Sequence, residues 1–178
     1  MSVLITRDRF ALNSVNSKSS HCWLVELHND PAVLYNVTHP TPINYDDHIV
    51  WWNKLGLNEQ RFIFTVDGEK AGFTKFYRID SVNSNCDLGA DLQINFRGRG
   101  FAQPMWELML HHAFITLNLH RVGLTTASYN TIGQRVYEKL GFMEEGRKRH
   151  SLYRDGVYYD ELCMSMTKEE YNAPLTGL

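Results

Sequence analysis

The feature that most constrains the fold is a change of hydrophobic period across a glycine-rich turn in mid-chain. Before it, residues 61–94 show strand-like alternation, and Asp67-Gly68 is typical of a β-hairpin turn. After it, apolar residues recur every three or four positions over 102–117, as on one face of an amphipathic helix. The turn itself spans residues 97–100, with the sequence Arg-Gly-Arg-Gly. This pattern predicts an antiparallel meander that leads into a long helix.

The flanking segments extend this pattern to one mixed α/β domain over residues 1–178, which is not a doubly wound fold. Proline-rich residues 31–42 interrupt regular structure, and Gly141 ends the second amphipathic helix. The predicted strands are 3–12, 61–66, 71–79, 86–94, 121–128, 142–154 and 157–166, and the predicted helices are a short one from residue 21, 46–55, 102–117 and 130–140.

The charge balance and the cysteines exclude several classes of protein. Eighteen basic and 20 acidic residues give a net charge of −2, which argues against a general nucleic-acid binder. The three cysteines, Cys22, Cys86 and Cys163, are too few and too far apart to predict a disulfide framework or a zinc site. We therefore expect no metal and no nucleic-acid partner.

Neither a leader nor a membrane span is predicted. The first ten residues include Arg7, Asp8 and Arg9 where a signal peptide needs an apolar run. No apolar stretch approaches the length of about 18 residues that a membrane helix needs. The sequence predicts a cytoplasmic protein without a membrane partner.

The glycine-rich turn has the chemistry of an anion site. Free N–H groups at a helix N-terminus attract anions, and Gly98 and Gly100 let a phosphate approach the backbone. Arg97 and Arg99 add positive charge. By itself the turn is equally compatible with a structural role, and no Gly-Lys-Ser/Thr follows as in a P-loop.

Several motifs in order resemble the GNAT superfamily of N-acetyltransferases. Arg97-x-x-Gly100-x-Ala102 matches the superfamily's acetyl-CoA signature, Q/R-x-x-G-x-G/A. Residues 137–142, Tyr-Glu-Lys-Leu-Gly-Phe, resemble its Y-x-K-L-G-F segment. The closing stretch 145–161 is similar to the branch that acetylates ribosomal-protein N-termini, polyamines and amino sugars. The resemblance covers residues 61–171 closely and the first 60 loosely.

This resemblance implies a fold and a cofactor site. The fold is a central mixed, largely antiparallel sheet, splayed around acetyl-CoA, with helices on both faces. Residues 1–60 would form the acceptor side and residues 61–171 the acetyl-CoA core and closing hairpin. The implied cofactor-binding residues are backbone groups of Ala90, Asp91 and Leu92 for the pantetheine, Arg97, Gly98, Arg99, Gly100, Phe101 and Ala102 for the pyrophosphate, and Asn130.

The resemblance also implies catalytic roles. Tyr137 would lie near the thioester sulfur as general acid, since a phenol is protonated at neutral pH. An aliphatic ammonium must lose a proton before it can attack the thioester. Asp87, on the strand before the glycine-rich turn, is the first candidate for the base that removes this proton. His150 and Asp160 are alternatives. Without the resemblance, Tyr137 would be a core tyrosine and Asp87 an ion-pair partner.

The predicted reaction is direct transfer from acetyl-CoA to a primary amine. The implied acceptor-binding residues are His48, Trp51, Trp52 and His150. Residues 29–52 resemble enzymes that act on nucleotide-linked amino sugars, which makes such an amine the first choice. A polyamine or a protein N-terminus is the alternative, although few acids besides Asp46 and Asp47 lie in this region. A non-catalytic acyl-CoA-binding module is the opposing class, and a homodimer is compatible with the sequence.

Overall fold

Eight strands form one sheet in residues 3–171, the part of the chain that this computed structural model describes. The strand order is β1-β2-β3-β4-β5-β6-β8-β7, and only the β5–β6 pair is parallel. The prediction of a mixed, largely antiparallel sheet is therefore confirmed. The strands are β1 (Val3–Arg7), β2 (Phe10–Ser14), β3 (Gln60–Val66), β4 (Glu69–Asp80), β5 (Asn85–Leu92), β6 (Arg121–Ala127), β7 (Met143–Arg154) and β8 (Val157–Thr167).

The N-terminal strand differs from its prediction. The sequence predicts one strand over residues 3–12, but the chain turns at Asp8 and returns as β2, with Thr6 opposite Ala11. Asp8 has φ +52°, in the left-handed region that aspartate tolerates better than most residues. This turn places β2 beside β3, so residues of the predicted acceptor side belong to the same sheet as the predicted core.

Five α-helices cover the sheet, on both of its faces. The helix predicted from residue 21 begins earlier, where the Ser17 side chain accepts a hydrogen bond from the Ser20 N–H. A short helix that begins at Pro31, capped by Asp30, was not predicted. The helices are α1 (Lys18–Asn29), α2 (Pro31–Leu34), α3 (Tyr45–Trp52), α4 (Ala102–His111) and α5 (Thr131–Leu140).

The main core lies between the sheet and α4. Phe64 and Phe76 of the sheet and Met105 and Met109 of α4 are fully buried in this cluster. The predicted helix 102–117 is α-helical only to His111, and a π-helical turn continues to Thr116. No helix within residues 3–171 is both long enough and apolar enough to cross a membrane.

Candidate active site

The parallel strands β5 and β6 separate along their length. They pair only at three positions, from Asn85 opposite Arg121 to Asp87 opposite Gly123. Beyond Asp87, β5 continues beside β4 alone and β6 beside β8 alone. The sheet therefore opens between residues 88–92 and 124–127, which confirms the predicted splay.

A narrow cavity of about 120 Å³ occupies this opening. Its walls include Tyr77 and Asp91 from one side of the sheet and Trp106 and Tyr137 from the other. Because side chains on a strand alternate between the two faces, this set of walls means that the cavity passes through the sheet. Four predicted site residues line it, namely Ala90, Asp91, Asn130 and Tyr137.

Tyr137 lies where α5 packs against α4. Its ring meets the Trp106 ring edge-on with centroids 4.9 Å apart, and Phe142 lies on another side at 6.1 Å. Burial raises the pKa of the Tyr137 phenol, the negative charge of Asp91 adds to this, and a hydrogen bond with Thr126 opposes it. The phenol is therefore protonated at neutral pH and can donate a proton into the narrow cavity.

Asn130 connects the start of α5 to this phenol. Its side-chain oxygen accepts a hydrogen bond from the Gly133 N–H at 3.1 Å, as a helix N-cap does. Its side-chain nitrogen donates to Thr126 Oγ1 at 3.1 Å. The cap thereby orients the same threonine that contacts Tyr137.

The glycine-rich turn before α4 has an open, left-handed backbone. Gly98 has φ +69° and Gly100 has φ +81°, and a Cβ at either position would meet no atom within 4 Å. The first turn of α4 receives no side-chain cap. Free helical N–H groups beside an uncrowded glycine backbone fit a diphosphate, as the motif predicts.

The two arginines of the turn differ in direction. The Arg99 guanidinium lies over the Phe101 ring, 5.0 Å from its centroid, and stays exposed beside the turn. The Arg97 side chain folds back, where its Nε donates to the Leu92 carbonyl at 2.8 Å and its Nη1 to the Ala32 carbonyl at 3.4 Å. Arg97 thus ties the end of β5 to α2 and occupies one of the Leu92 groups that the resemblance assigns to pantetheine.

A larger cavity of about 400 Å³ lies on the face of the sheet opposite α4, under α1, α2 and α3. His48 and Trp51 line it, as predicted acceptor-side residues. His48 is only 3% exposed, and its Nε2 lies 3.0 Å from His21 Nδ1. Burial lowers the pKa of His48, and the neighbouring His21 and His28 lower it further. Trp52 is not part of the wall, because its ring packs against His21 at 4.8 Å.

The charged groups of the large cavity are nearly balanced. Arg61 and Lys75 supply positive charge, and Asp47 and Asp91 supply negative charge. The Arg61 guanidinium lies 4.8 Å above the Trp51 ring and 2.5 Å from a Glu59 carboxylate oxygen. One basic group of this cavity is therefore already neutralised by a partner.

The two cavities adjoin. Four residues line both of them, namely Val37, Thr38, Lys75 and Asp91. A molecule in the large cavity would therefore meet the contents of the sheet opening at these side chains. This arrangement suits a reaction between two substrates that enter from opposite faces of the sheet.

The three candidate bases, Asp87, His150 and Asp160, line neither cavity. Asp87 receives a hydrogen bond from Arg78 Nη1 at 3.0 Å, so it occupies the ion-pair position that was its alternative interpretation. The exposed His150 ring stacks on the Tyr158 ring with centroids 6.4 Å apart. The backbone N–H of His150 donates to the Asp160 carboxylate at 3.0 Å. Asp87 lies at the last β5–β6 pair, just before the opening, and its carboxylate is held by Arg78. His150 and Asp160 lie on the β7–β8 hairpin, outside both cavities.

Arg154, a residue that the motifs do not mark, holds one wall of the site. This buried side chain at the end of β7 donates to the carbonyls of Tyr35, at 2.9 Å, and of Val37 and Thr38. It thereby fixes the segment that separates the two cavities. No local pattern signals this role, since the partners are more than 110 residues away along the chain.

Potential metal ligands are dispersed. Within residues 3–171, no group of three or more histidine, cysteine, aspartate or glutamate side chains is placed to hold a metal ion. The three cysteines are free thiols.

Comparisons with known proteins agree with this geometry. The model of the acetyltransferase (GNAT) domain family matches residues 9–143. An uncharacterized N-acetyltransferase of Bacillus subtilis, YokL, derived from the SPbeta prophage, is 34% identical over 119 residues, which are 66% of this chain and 67% of the relative. The spermidine N(1)-acetyltransferase of Escherichia coli K12 is 30% identical over 129 residues, or 72% and 67% of the two chains.

The fold also matches a solved structure. A spermidine N-acetyltransferase from Vibrio cholerae, in complex with CoA and spermine, superposes with a TM-score of 0.85, covers 92% of this chain and 98% of its own, and is 22% identical. The predictions of an N-acetyltransferase and of acetyl-CoA as its co-substrate are confirmed. This chain belongs to the GNAT family of acetyltransferases.

Proposed function

We propose that this protein transfers the acetyl group of acetyl-CoA directly to a primary amine bound in the large cavity. The observation that supports this most is the junction of the two cavities beside Asp91, with the Tyr137 phenol on the wall of the sheet opening. Acetyl-CoA supplies an activated acyl group as a thioester. The chain supplies a diphosphate site at residues 97–102, a narrow passage through the sheet and a protonated phenol.

Tyr137 is proposed as the proton donor to the departing sulfur. Its raised pKa keeps the phenol protonated at neutral pH, so it can hydrogen-bond the departing sulfur and donate its proton as the C–S bond breaks. The backbone groups of Ala90, Asp91 and Leu92 and the side chain of Asn130 remain predictions as cofactor contacts. Residues 1–60 as the acceptor side and residues 61–171 as the core likewise remain a prediction.

The proposed acceptor is a short amine of the polyamine class. This is the alternative of the sequence-based prediction, and it replaces a nucleotide-linked amino sugar as first choice because relatives of this chain are named spermidine N-acetyltransferases. The carboxylates of Asp47 and Asp91 offer the cavity two groups that can bind ammonium. The positive charge of Lys75 in the same cavity favours an acceptor with few charges over a long polycation.

The test is release of CoA thiol from acetyl-CoA with a panel of acceptors. The panel contains putrescine, spermidine and spermine, UDP- and dTDP-linked amino sugars, and peptides with free N-termini. We expect turnover with the polyamines and the largest kcat/KM for the shorter ones. Turnover with amino sugars alone would contradict the proposed acceptor, and acetyl-CoA binding without CoA release from any amine would favour the non-catalytic module.

A further inference from the structure

Asp91 is the one carboxylate common to both cavities within the described residues. It lies on β5 with Phe73 opposite it on β4, one residue before the strand ends at Leu92. The sequence-based prediction uses only its backbone, as a contact for pantetheine. The structure places its side chain on the face of the sheet that carries Lys75, where the acceptor would meet the thioester.

No hydrogen bond or ion pair within residues 3–171 engages the Asp91 carboxylate. Asp87, by contrast, is paired with Arg78 on the same strand face. A desolvated, unpaired carboxylate on a cavity wall is costly unless a positively charged ligand approaches it. The geometry therefore leaves one acid at the junction available to an incoming cation.

We propose that the Asp91 side chain binds the reacting ammonium of the acceptor and accepts its proton. This proposal rests on acetyl transfer to a primary amine as the function of the protein. An ammonium R–NH3+ and the Asp91 carboxylate become R–NH2 and a neutral Asp91 carboxylic acid. The nitrogen keeps the electron pair that bonded the proton, which makes the amine nucleophilic.

The surroundings of Asp91 favour this exchange. Burial raises the pKa of the Asp91 carboxyl, which makes it a stronger base than an exposed aspartate. Lys75, Arg97 and His28 face it from β4, the turn and α1, and their electrostatic effect lowers this pKa in part. Tyr137 faces it from α5, and the negative charge of Asp91 contributes to the raised pKa of that phenol. Asp47, Arg61, His39 and His48 line the same large cavity.

The reciprocal effect on Tyr137 links the two proposed proton transfers. When Asp91 becomes neutral, the charge that helps to hold the proton on Tyr137 disappears. The phenol then becomes a better donor at the stage at which the departing sulfur needs a proton. One buried pair would thus accept a proton on the acceptor side and release one on the cofactor side. The nitrogen gives its second proton to the Tyr137 phenolate as the amide forms, and Asp91 returns its proton to solvent when the products leave.

The experiment compares Asp91→Asn with the wild type from pH 6 to pH 10, using acetyl-CoA and spermidine. At pH 7 we expect kcat to fall at least about 100-fold, the effect typical of a lost general base. The deficit should shrink as pH rises, because a larger fraction of the acceptor is already neutral. The KM for acetyl-CoA should stay within about twofold, since the substitution leaves the Asp91 backbone in place and changes only the side chain proposed to bind the acceptor.

Two further variants control the experiment. Asp8→Asn makes the same substitution at an exposed turn of the β1–β2 hairpin. It should leave kcat and its dependence on pH as in the wild type. Asp91→Glu keeps a carboxylate at the junction, and it should retain a rate about tenfold above that of Asp91→Asn. Its pH dependence should resemble that of the wild type.

Three results would overturn the proposal: Asp91→Asn within threefold of the wild-type rate, a deficit that is constant across pH, or Asp91→Glu no better than Asp91→Asn. If the wild type releases no CoA with any amine, the proposed function itself fails. Calorimetry of spermidine binding at pH 7, to the wild type and to Asp91→Asn, then tests whether Asp91 binds an ammonium group. Binding that requires Asp91 supports it, while binding that is absent or unchanged by Asp91→Asn contradicts it.

Discussion

The cofactor half and the acceptor half of the candidate site are built from the chain in different ways. The predicted cofactor-binding residues and Tyr137 fall between Ala90 and Tyr137, and their central part is one continuous turn, 97–102, that leads into α4. The acceptor half combines α1–α3 with strands β3, β4 and β5, and Arg154 from the closing hairpin fixes its wall. The first is local in sequence, and the second exists only when distant segments meet.

This difference explains which predictions agreed with the structure. As a candidate diphosphate site, the turn depends on glycine conformation and helix N–H groups, which are local properties of six residues. The acceptor cavity works through side chains whose direction depends on packing elsewhere. Trp51 lines it while its neighbour Trp52 contacts His21 outside it, although the two are identical in type.

The strongest way to break the cofactor half is a change in the turn. Gly100→Glu introduces a negative charge and a side chain at a left-handed position, and we expect acetyl-CoA affinity to fall at least about 100-fold. Calorimetry with acetyl-CoA measures this. Gly68→Glu is the matched control, because Gly68 also has φ +81° and open space around its Cβ, but lies in the β3–β4 turn. Equal losses in both variants would refute the diphosphate assignment.

A smaller effect separates chemistry from binding in the same half. Tyr137→Phe removes the phenol proton but keeps the ring against Trp106, so kcat should fall at least about tenfold with acetyl-CoA affinity unchanged. Steady-state kinetics with the best acceptor of the panel provides the test. Tyr158→Phe, an exposed tyrosine of β8, is the control. An unchanged kcat in Tyr137→Phe would eliminate the general-acid role.

Acceptor binding should weaken when the Arg154 hydrogen bonds to residues 35–38 are removed. Arg154→Lys loses the set of hydrogen bonds to Tyr35, Val37 and Thr38, and we expect the acceptor KM to rise about fivefold. The KM for acetyl-CoA should not change. Arg147→Lys, which loses an exposed pair with Glu144, provides the comparison. A rise in both KM values would mean that Arg154 supports the whole fold and not the cavity wall alone.

The smallest expected effect tests the two tryptophans. Trp51→Leu removes the ring beneath the Arg61 guanidinium, so the acceptor KM should rise about threefold. Trp52→Leu removes a contact with His21 outside the cavity, and it should lower the thermal unfolding midpoint with less effect on KM. The acceptor KM and the thermal unfolding midpoint, measured for both variants, test which tryptophan lines the cavity. A larger KM effect in Trp52→Leu would contradict the cavity wall described above.

The amino-acid sequence by itself determined the strand meander and the switch to helix at residues 97–102. These depend on periodicity, glycine conformation and helix ends, which act over a few residues. The resemblance to the GNAT family added Tyr137 as the predicted general acid and Asp87 as the first candidate for the base.

Only the tertiary structure decided which of the two carboxylates on β5 lines both cavities. Asp87 and Asp91 lie on the same face of β5, but β6 pairs beside Asp87 and has separated from β5 at Asp91. Arg78 occupies the first acid, and two cavities meet at the second. The point at which β5 and β6 separate depends on how each strand pairs with its other neighbour, β4 or β8, and those partners are distant in sequence.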